Sequence, residues 1–333
     1  MRKVCIIGPA WVGDMVMAQT LFMLLKQRDP DIMIDVLAPP WSAPLLKRMP
    51  EVSSFIEMPM THGELKLRER YNFGKKLREK HYDQAIILPN SFKSALIPWW
   101  ADIPLRTGWA RELRGVLLND VRRLNKKRYP LMIERFMALG LRAMDTIIPK
   151  PYPIPRLQMM VTSQEAVLTK YHLEMKYPVL ALCPGAEFGP AKRWPEEYFA
   201  RVAEAKLNEG WQVWLMGSIK DQTVTMEIMK QTAGRCVNLA GRTTLEEAID
   251  LLSLSTCVVS NDSGLMHVAA ALDKPLIALY GPTSPDFTPP LSDKANVFML
   301  SKKCQPCFQR TCPFGHHQCM RDLSFDTVID AIH

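Results

Sequence analysis

A carboxylate residue follows the first apolar run of the chain. The run Val4–Ile7 leads into Gly8-Pro-Ala-Trp-Val-Gly13-Asp14, and the segment from Asp14 to Lys26 has a helical pattern. In a parallel sheet, ligands bind in the loops at the carboxyl ends of the strands, so Asp14 is placed where it can act as a general base on a hydroxyl group. The alternative interpretation is that Asp14 only caps its helix, as aspartate often does.

Basic and small residues follow two apolar runs in the second half of the chain. The segment 183–195 contains Lys192 and Arg193, whose charges suit phosphate oxygens. The segment 259–267 runs into a helix start, where unpaired backbone N–H groups form an anion-binding site. A third loop, at 280–287, follows the next predicted strand and is expected beside the second. Three such loops at one sheet edge predict a diphosphate-binding site.

Two polar residues of the second loop have more than one interpretation. Asp262 either caps the following helix or hydrogen-bonds a sugar hydroxyl group. His267 lies one helical turn further on, where a histidine is more often structural than catalytic.

Short apolar runs alternate with helical patterns along almost the whole chain, which predicts an α/β protein with parallel sheets. Residues 149–155 include four prolines, and this composition predicts a stiff interdomain linker. We therefore expect a domain over 1–150, a domain over 151–322 and a closing helix over 323–333. The predicted strands are Val4–Ile7, Met33–Leu37, Ala85–Leu88, Val179–Cys183, Val213–Met216, Cys257–Ser260 and Leu276–Tyr280.

The positive charge of the chain lies in its first half. The formal net charge of the 333 residues is +8. Residues 1–150 contain 25 Lys and Arg against 15 Asp and Glu, whereas residues 151–333 contain 17 against 19. This asymmetry indicates either an anionic partner of the first half, such as nucleic acid, a membrane surface or a phosphorylated substrate, or a solvated basic face.

Composition excludes several classes of protein. A hydrophobic content of 47% with 23% charged residues argues against disorder. No apolar run approaches the roughly 20 residues of a membrane-spanning helix, and the basic start Met1-Arg2-Lys3 is too short for a signal peptide. We therefore expect a soluble or peripheral protein. The Gly8 and Gly13 spacing does not match the dinucleotide-binding fingerprint G-x-G-x-x-G, and no Walker A loop occurs.

The eight cysteines fall into two groups. Four of them, Cys5, Cys183, Cys236 and Cys257, lie in apolar strand-like runs, where a free cysteine behaves as a small hydrophobic residue in a reducing cytoplasm. The other four form Cys304-x2-Cys307-x4-Cys312-x6-Cys319, with His316 and His317 between the last two. This segment is compatible with a zinc knuckle, with redox-labile disulfides or with reduced thiols in an irregular loop.

Six blocks of sequence together resemble the ADP-heptose:lipopolysaccharide heptosyltransferase family. The resemblance runs from residue 1 to about residue 298, and its blocks are too long for chance matches. The blocks lie at residues 8–14, 88–95, 106–109, 183–195, 261–271 and 280–287.

The resemblance implies a GT-B glycosyltransferase with two Rossmann-like α/β/α domains facing across a cleft. It implies transfer of L-glycero-D-manno-heptose from ADP-heptose to the first heptose of the lipopolysaccharide inner core, heptosyl-Kdo2-lipid A, with inversion at the anomeric carbon. Asp14 matches the catalytic base of the family, and Lys192 matches the residue that meets the diphosphate. Donor contacts are implied for Gly13, Glu187, Lys192, Arg193, Gly217, Ser218, Asp262, Ser263, Gly264, Leu265 and His267. Acceptor contacts are implied for Asn90, Ser91, Lys93 and Arg106.

The same resemblance implies a metal-independent monomer at the cytoplasmic face of the inner membrane. The Asp-x-Asp pattern Asp29-Pro30-Asp31 could hold a metal ion, but we interpret it as a solvated connector, so no catalytic metal is expected. No cofactor and no nucleic-acid partner are expected either. One alternative is another inverting GT-B enzyme, such as heptosyltransferase I or III, with a different nucleotide sugar or acceptor. The other is a basic, zinc-containing nucleic-acid-binding protein. Two observations argue against it: basic residues alternate with glutamates over Lys66–Lys80, and no RNA-binding signature occurs.

Overall fold

The computed structural model describes residues 1–60 and 63–333. It divides into two compact units, Met1–Pro155 and Arg156–His333. The boundary between the units falls at the C-terminal end of the proline-rich segment 149–155, which has no helix or strand.

The first unit is built around a parallel sheet, which confirms the predicted α/β class. In the described part of this unit, six strands pair in the order β3-β2-β1-β4-β5-β6. The central strands are apolar and buried on both faces, as parallel strands between two helical layers must be. The strands are β1 (Lys3–Ile7), β2 (Met33–Ala38), β3 (Ser54–Glu57), β4 (Gln84–Ile87), β5 (Leu105–Trp109) and β6 (Asp120–Arg122).

The helices of the first unit connect these strands. The longest, α1, is buried along most of its length between Met15 and Leu25 and contacts α5. It begins at Val12, two residues before the predicted start, with Trp11 at the N-cap position. The helices are α1 (Val12–Arg28), α2 (Ala43–Leu46), α3 (Leu67–Leu77), α4 (Leu96–Trp100) and α5 (Met132–Gly140).

The second unit repeats this topology. In order along its sheet the strands are β12-β11-β10-β7-β8-β9, and every pairing is parallel. If the strands β7 to β12 are renumbered 1 to 6 and the sheet is read from β9 to β12, the order is 3-2-1-4-5-6. This is the strand order of the doubly wound Rossmann fold. The strands are β7 (Val179–Cys183), β8 (Gln212–Leu215), β9 (Val237–Asn238), β10 (Cys257–Asn261), β11 (Leu276–Tyr280) and β12 (Ala295–Met299).

The helices of the second unit cover its sheet. The last of them is six residues long, shorter than the closing helix predicted over 323–333. It starts late because Ser324 caps it, and because the carbonyl of Leu323 accepts a hydrogen bond from the buried Trp194 indole at 3.0 Å. The helices are α6 (Val161–Tyr171), α7 (Glu196–Asn208), α8 (Gln222–Gln231), α9 (Leu245–Leu254), α10 (Gly264–Ala271), α11 (Gln318–Arg321) and α12 (Phe325–Asp330).

Four buried cysteines belong to the cores of the two units. Cys5, Cys183 and Cys257 lie in strands, and Cys236 immediately precedes the two-residue strand β9. All four are free thiols. Burial raises the pKa of Cys257 to about 11 and that of Cys5 and Cys183 further, so these thiols stay protonated and pack as apolar groups.

The described residues contain no helix that is both long enough and apolar enough to cross a membrane.

Candidate active site

Each sheet has a point at which the strand order reverses, between β1 and β4 in the first unit and between β7 and β10 in the second. Loops at the carboxyl ends of the strands beside such a switch point form the ligand-binding crevice of doubly wound folds. Four of the predicted site segments follow β1, β4, β7 and β10. Chain order and strand order therefore place the candidate residues at the two positions where this fold binds ligands.

The structure brings Lys192 and Asp262 together at the switch point of the second unit. The Lys192 ammonium lies 2.5 Å from Oδ2 of Asp262, which also accepts a hydrogen bond of 2.5 Å from the Thr283 hydroxyl. The side chains of Lys192 and Asp262 are 12% and 4% exposed. The loops after β7, β10 and β11 thus meet at one carboxylate, as the sequence predicts for three adjacent loops.

Asp262 does not cap the helix that follows it. The N-cap residue of α10 is Ser263, whose hydroxyl lies 3.2 Å from that of Ser260, and the Asp262 carboxylate points to Lys192 and Thr283 instead. The capping interpretation of Asp262 is therefore wrong. Ser263, Gly264 and Leu265 are half-buried, and the first N–H groups of an α-helix have no partner within it, so this helix start can receive an anion.

Asn261 ties the loop after β7 to the end of β10. Its Oδ1 accepts a hydrogen bond from the Trp194 N–H at 3.1 Å, and its Nδ2 donates one to the Pro184 carbonyl at 2.7 Å. Asn261 is fully buried. Its role was not predictable from the sequence, because its partners lie 67 and 77 residues away along the chain.

His267 is the fourth residue of α10 and is 5% exposed. Burial lowers its pKa to about 4, and the Lys192 charge acts in the same direction, whereas Asp262 opposes both. The imidazole is therefore neutral at pH 7, which suits a structural or hydrogen-bonding role rather than that of a cation.

The pKa of His267 makes the stability of the protein depend on pH. Because its folded pKa of about 4 lies below its ordinary value of 6.5, the unfolded chain takes up a proton first as the pH falls. Its contribution is thus complete above pH 6.5 and is lost toward pH 4. We expect unfolding in urea to show a loss of about 2 kcal/mol between pH 7.5 and 5 that is absent in His267→Asn. The exposed His172→Asn should keep the wild-type loss, and the same loss in His267→Asn would contradict the assignment.

The loop after β8 contains Gly217 and Ser218 and is closed by the carboxylate of Asp221, which was not predicted as a site residue. Oδ2 of Asp221 accepts hydrogen bonds of 2.9 Å from both the backbone N–H and the hydroxyl of Ser218. The guanidinium of Arg193 lies 3.9 Å from Oδ1 of Asp221. The Ser-x-x-Asp spacing of 218–221 resembles a capping box and could have revealed this contact.

Gly185 permits the close approach of Asp221. A Cβ atom on Gly185 would lie 2.4 Å from the carboxyl carbon of Asp221. We expect Gly185→Ala to displace Asp221 and to lower the free energy of unfolding by about 1 to 3 kcal/mol. Gly115→Ala is the matched control, since nothing lies within 4 Å of its added Cβ. Equal denaturation midpoints for the two variants would show that the Asp221 loop tolerates displacement.

Glu187 bridges the loops after β7 and β8. Its carboxylate lies 2.5 Å from the Lys220 ammonium, and both side chains are at least half exposed. An exposed pair of this kind contributes little to stability. This pair places Glu187 beside the loop that carries Ser218, another of the predicted donor residues.

In the first unit, Asp14 is the third residue of α1 and is half-buried, directly after the buried Gly13. Because the helix begins at Val12, the N-cap residue is Trp11 and not Asp14. The interpretation that Asp14 is only the cap of this helix is therefore wrong. A carboxylate in the first turn of a helix interacts favourably with the helix dipole. This environment suits a general base at the carboxyl end of β1.

The loop after β4 carries Asn90, Ser91 and Lys93 beside the β1 loop. It is held by Arg114, which is fully buried and donates to the Pro89 carbonyl, to the Ser94 hydroxyl at 3.1 Å and to Oδ1 of Asn90 at 3.3 Å. Burial lowers the pKa of Arg114 to about 10, so it remains a cation at neutral pH. Arg114 was not predicted as a site residue, because a basic residue in a loop gives no signal of burial.

Arg106 is not placed with the other predicted acceptor residues. It pairs with Ala85 near the start of β4, whereas Asn90 and Ser91 follow the end of that strand. Its guanidinium donates to the carbonyls of Leu117 at 2.7 Å and Ile103 at 2.6 Å. These bonds give Arg106 a structural role within the first unit.

Comparison with known proteins agrees with this geometry. The profile of glycosyltransferase family 9 (heptosyltransferase) matches residues 70–318. The chain belongs to glycosyltransferase family 9. It is 49% identical to lipopolysaccharide heptosyltransferase 2 of Salmonella typhimurium, over 99% of this chain and 97% of the relative. It is 47% identical to lipooligosaccharide heptosyltransferase 2 of Haemophilus influenzae, over 99% and 98%.

A solved structure also matches this family 9 glycosyltransferase along its whole length. The structure of Escherichia coli ADP-heptose lipopolysaccharide heptosyltransferase II superposes with a TM-score of 0.89 at 46% identity, covering 99% of this chain and 97% of that one. The predicted heptosyltransferase membership, the glycosyltransferase class and the GT-B fold are thereby confirmed.

The cysteine-rich segment of the glycosyltransferase lines a small cavity together with Ala191 and Pro282. Its four thiols are free, and they line this cavity together with His316 and His317. Burial and the neighbouring thiols raise the pKa of Cys319 to about 11. Within 1–60 and 63–333, no three His, Cys, Asp or Glu side chains are arranged to hold a metal ion. The metal-independent reaction predicted from the sequence stays a prediction.

Proposed function

We propose that the chain transfers L-glycero-D-manno-heptose from ADP-heptose to the first heptose of the lipopolysaccharide inner core, with inversion and release of ADP. The observation that carries this proposal is the similarity to lipopolysaccharide heptosyltransferase 2, at 49% identity over 99% of the chain. The clustering of Lys192, Asp262 and Thr283 beside the start of α10 supports it independently.

The second unit binds the donor in this proposal. The first N–H groups of α10 and the Lys192 ammonium receive the diphosphate, since both are donors aimed at an anion. Both hydrogen bonds of Asp262 use Oδ2, and in the part of the chain that the structure describes its Oδ1 has no hydrogen-bond partner. Oδ1 is therefore available to a sugar hydroxyl group. The segments around Glu187 and Ser218 face the rest of the nucleotide.

Asp14 supplies the base of the reaction. The acceptor hydroxyl oxygen forms its bond to the anomeric carbon on the face opposite ADP, and Asp14 takes the hydroxyl proton as that bond forms. The bond from the anomeric carbon to the diphosphate oxygen breaks, and its electron pair leaves with ADP. Lys192 and the α10 N–H groups stabilise the charge that develops there, so the reaction needs no metal ion.

The acceptor is an anionic glycolipid at the cytoplasmic face of the inner membrane, and the enzyme acts on it as a monomer. The excess of basic residues in the first half, 25 against 15 acidic, suits the phosphates of such a lipid and the negative surface around it.

A donor panel tests the proposal. With heptosyl-Kdo2-lipid A as acceptor and a chelator present, we expect ADP-heptose to yield one ADP for each heptose transferred. UDP-sugars and GDP-sugars should yield no transfer. Transfer from a UDP-sugar in preference to ADP-heptose would contradict the proposed donor, and loss of activity in the chelator would contradict metal independence.

A further inference from the structure

The cysteine-rich segment packs against the loops after β7 and β11 and carries a basic residue, Arg310. We propose that Arg310 binds the donor diphosphate together with Lys192. This inference rests on the proposed function and names a residue of that site which neither motif nor position had indicated.

The backbone of Arg310 is fixed against the loop that carries Lys192. The Arg310 carbonyl accepts a hydrogen bond of 3.0 Å from the Ala191 N–H. A Cβ atom on Gly189 would lie 2.5 Å from this same carbonyl oxygen. The two segments therefore touch so closely that only a glycine fits at the contact.

The same segment is also bound to the loop after β11, which carries Thr283. The Gln305 amide donates to the Gly281 carbonyl at 2.7 Å, and the Phe308 N–H donates to the Pro282 carbonyl at 2.8 Å. The segment that carries Arg310 thus contacts two of the three loops that meet at Asp262.

The side chain of Arg310 shares an aromatic neighbour with Lys192. The guanidinium carbon lies 5.4 Å from the centre of the Phe188 ring, and the Lys192 ammonium lies 4.9 Å from the same centre. Both distances are within the range of a cation–π contact. The Arg310 guanidinium and the Lys192 ammonium therefore lie near the same aromatic ring.

Charge balance separates Arg310 from the other basic residues of these loops. Lys192 is paired with Asp262 and Lys220 with Glu187, and Arg193 lies 3.9 Å from Asp221. Arg310 is exposed, and across residues 1–60 and 63–333 no carboxylate lies within ion-pair distance of it. An incoming diphosphate can be met bidentately by this guanidinium without first displacing a carboxylate.

Calorimetric titration of ADP into the whole enzyme tests this role. We expect Arg310→Gln to raise the dissociation constant of ADP about tenfold, as for the loss of a charge-assisted hydrogen bond. Arg310→Lys, which keeps the charge but not the bidentate geometry, should recover only part of this loss. The affinity for adenosine, which has no phosphate, should not change. Arg201→Gln is the matched control, because its side chain is 65% exposed on α7 and pairs with Glu204.

Three outcomes would overturn the inference. These are an unchanged affinity for ADP in Arg310→Gln, an equal loss of affinity for adenosine, and an equal loss of affinity for ADP in Arg201→Gln. A wild-type enzyme that binds no ADP would instead contradict the proposed donor, so the two failures are distinguishable.

Discussion

Replacing Asp14 with asparagine is expected to lower turnover by about 10²- to 10⁴-fold and to leave the affinity for ADP-heptose unchanged, the usual effect of losing a positioned base. Asparagine keeps the size of the side chain and one acceptor oxygen, but it cannot take up the acceptor proton. Asp14 lies in the first turn of α1, at the carboxyl end of the central strand β1, where this fold presents catalytic groups. The measurement is kcat with saturating acceptor, beside the dissociation constant of the donor.

Asp31→Asn is the control for Asp14→Asn. It removes an exposed carboxylate from the same unit and should retain normal turnover. Near-normal turnover in Asp14→Asn would contradict the assignment of the base. The Asp14 carboxylate would then contribute to stability through the helix dipole, by about 0.3 to 1 kcal/mol, rather than to the reaction.

Lys192→Ala is expected to lower kcat/KM for ADP-heptose by about 10²- to 10³-fold, because it removes a preorganised cation from the leaving group. It also leaves the Asp262 carboxylate, 4% exposed, without its ion-pair partner. An uncompensated buried charge costs about 3 kcal/mol or more, so the variant should unfold at lower denaturant. Activity and stability are thus both expected to fall.

The double variant Lys192→Ala with Asp262→Asn separates these two effects. Asparagine removes the unpaired charge, so we expect about 2 kcal/mol of the lost stability to return while activity stays low. Recovery of activity along with stability would show that Lys192 supports the site only through folding. Unchanged donor kinetics in Lys192→Ala would remove it from the site altogether.

The central strands of the two sheets were predictable because they are buried on both faces, whereas the partly exposed strands β3, β5, β6, β9 and β12 were not predicted. Val179–Cys183 and Leu276–Tyr280 have the predicted bounds, since each is a continuous apolar run preceded by a proline that limits its start. The start of α1 was not predictable in this way. Its N-cap residue is Trp11, which offers no side-chain oxygen to mark a helix start.

The candidate site was predictable as three loops but not as a network. Loop order follows from the alternation of strands and helices, and Lys192 and Asp262 were both singled out from residue type. Asn261 and Arg114 were missed because their roles depend on contacts between segments distant in sequence. Arg106 was assigned by resemblance, and only the register of β4 with β5 shows that it lies away from Asn90.

An acceptor panel tests the central claim most directly. ADP-heptose is supplied with Kdo2-lipid A that carries no heptose, and separately with the same core that carries one. The account predicts transfer only to the core that already has one heptose, and the loss of that transfer in Asp14→Asn. Transfer to the heptose-free core would contradict the account and assign the chain to the preceding heptosyl step.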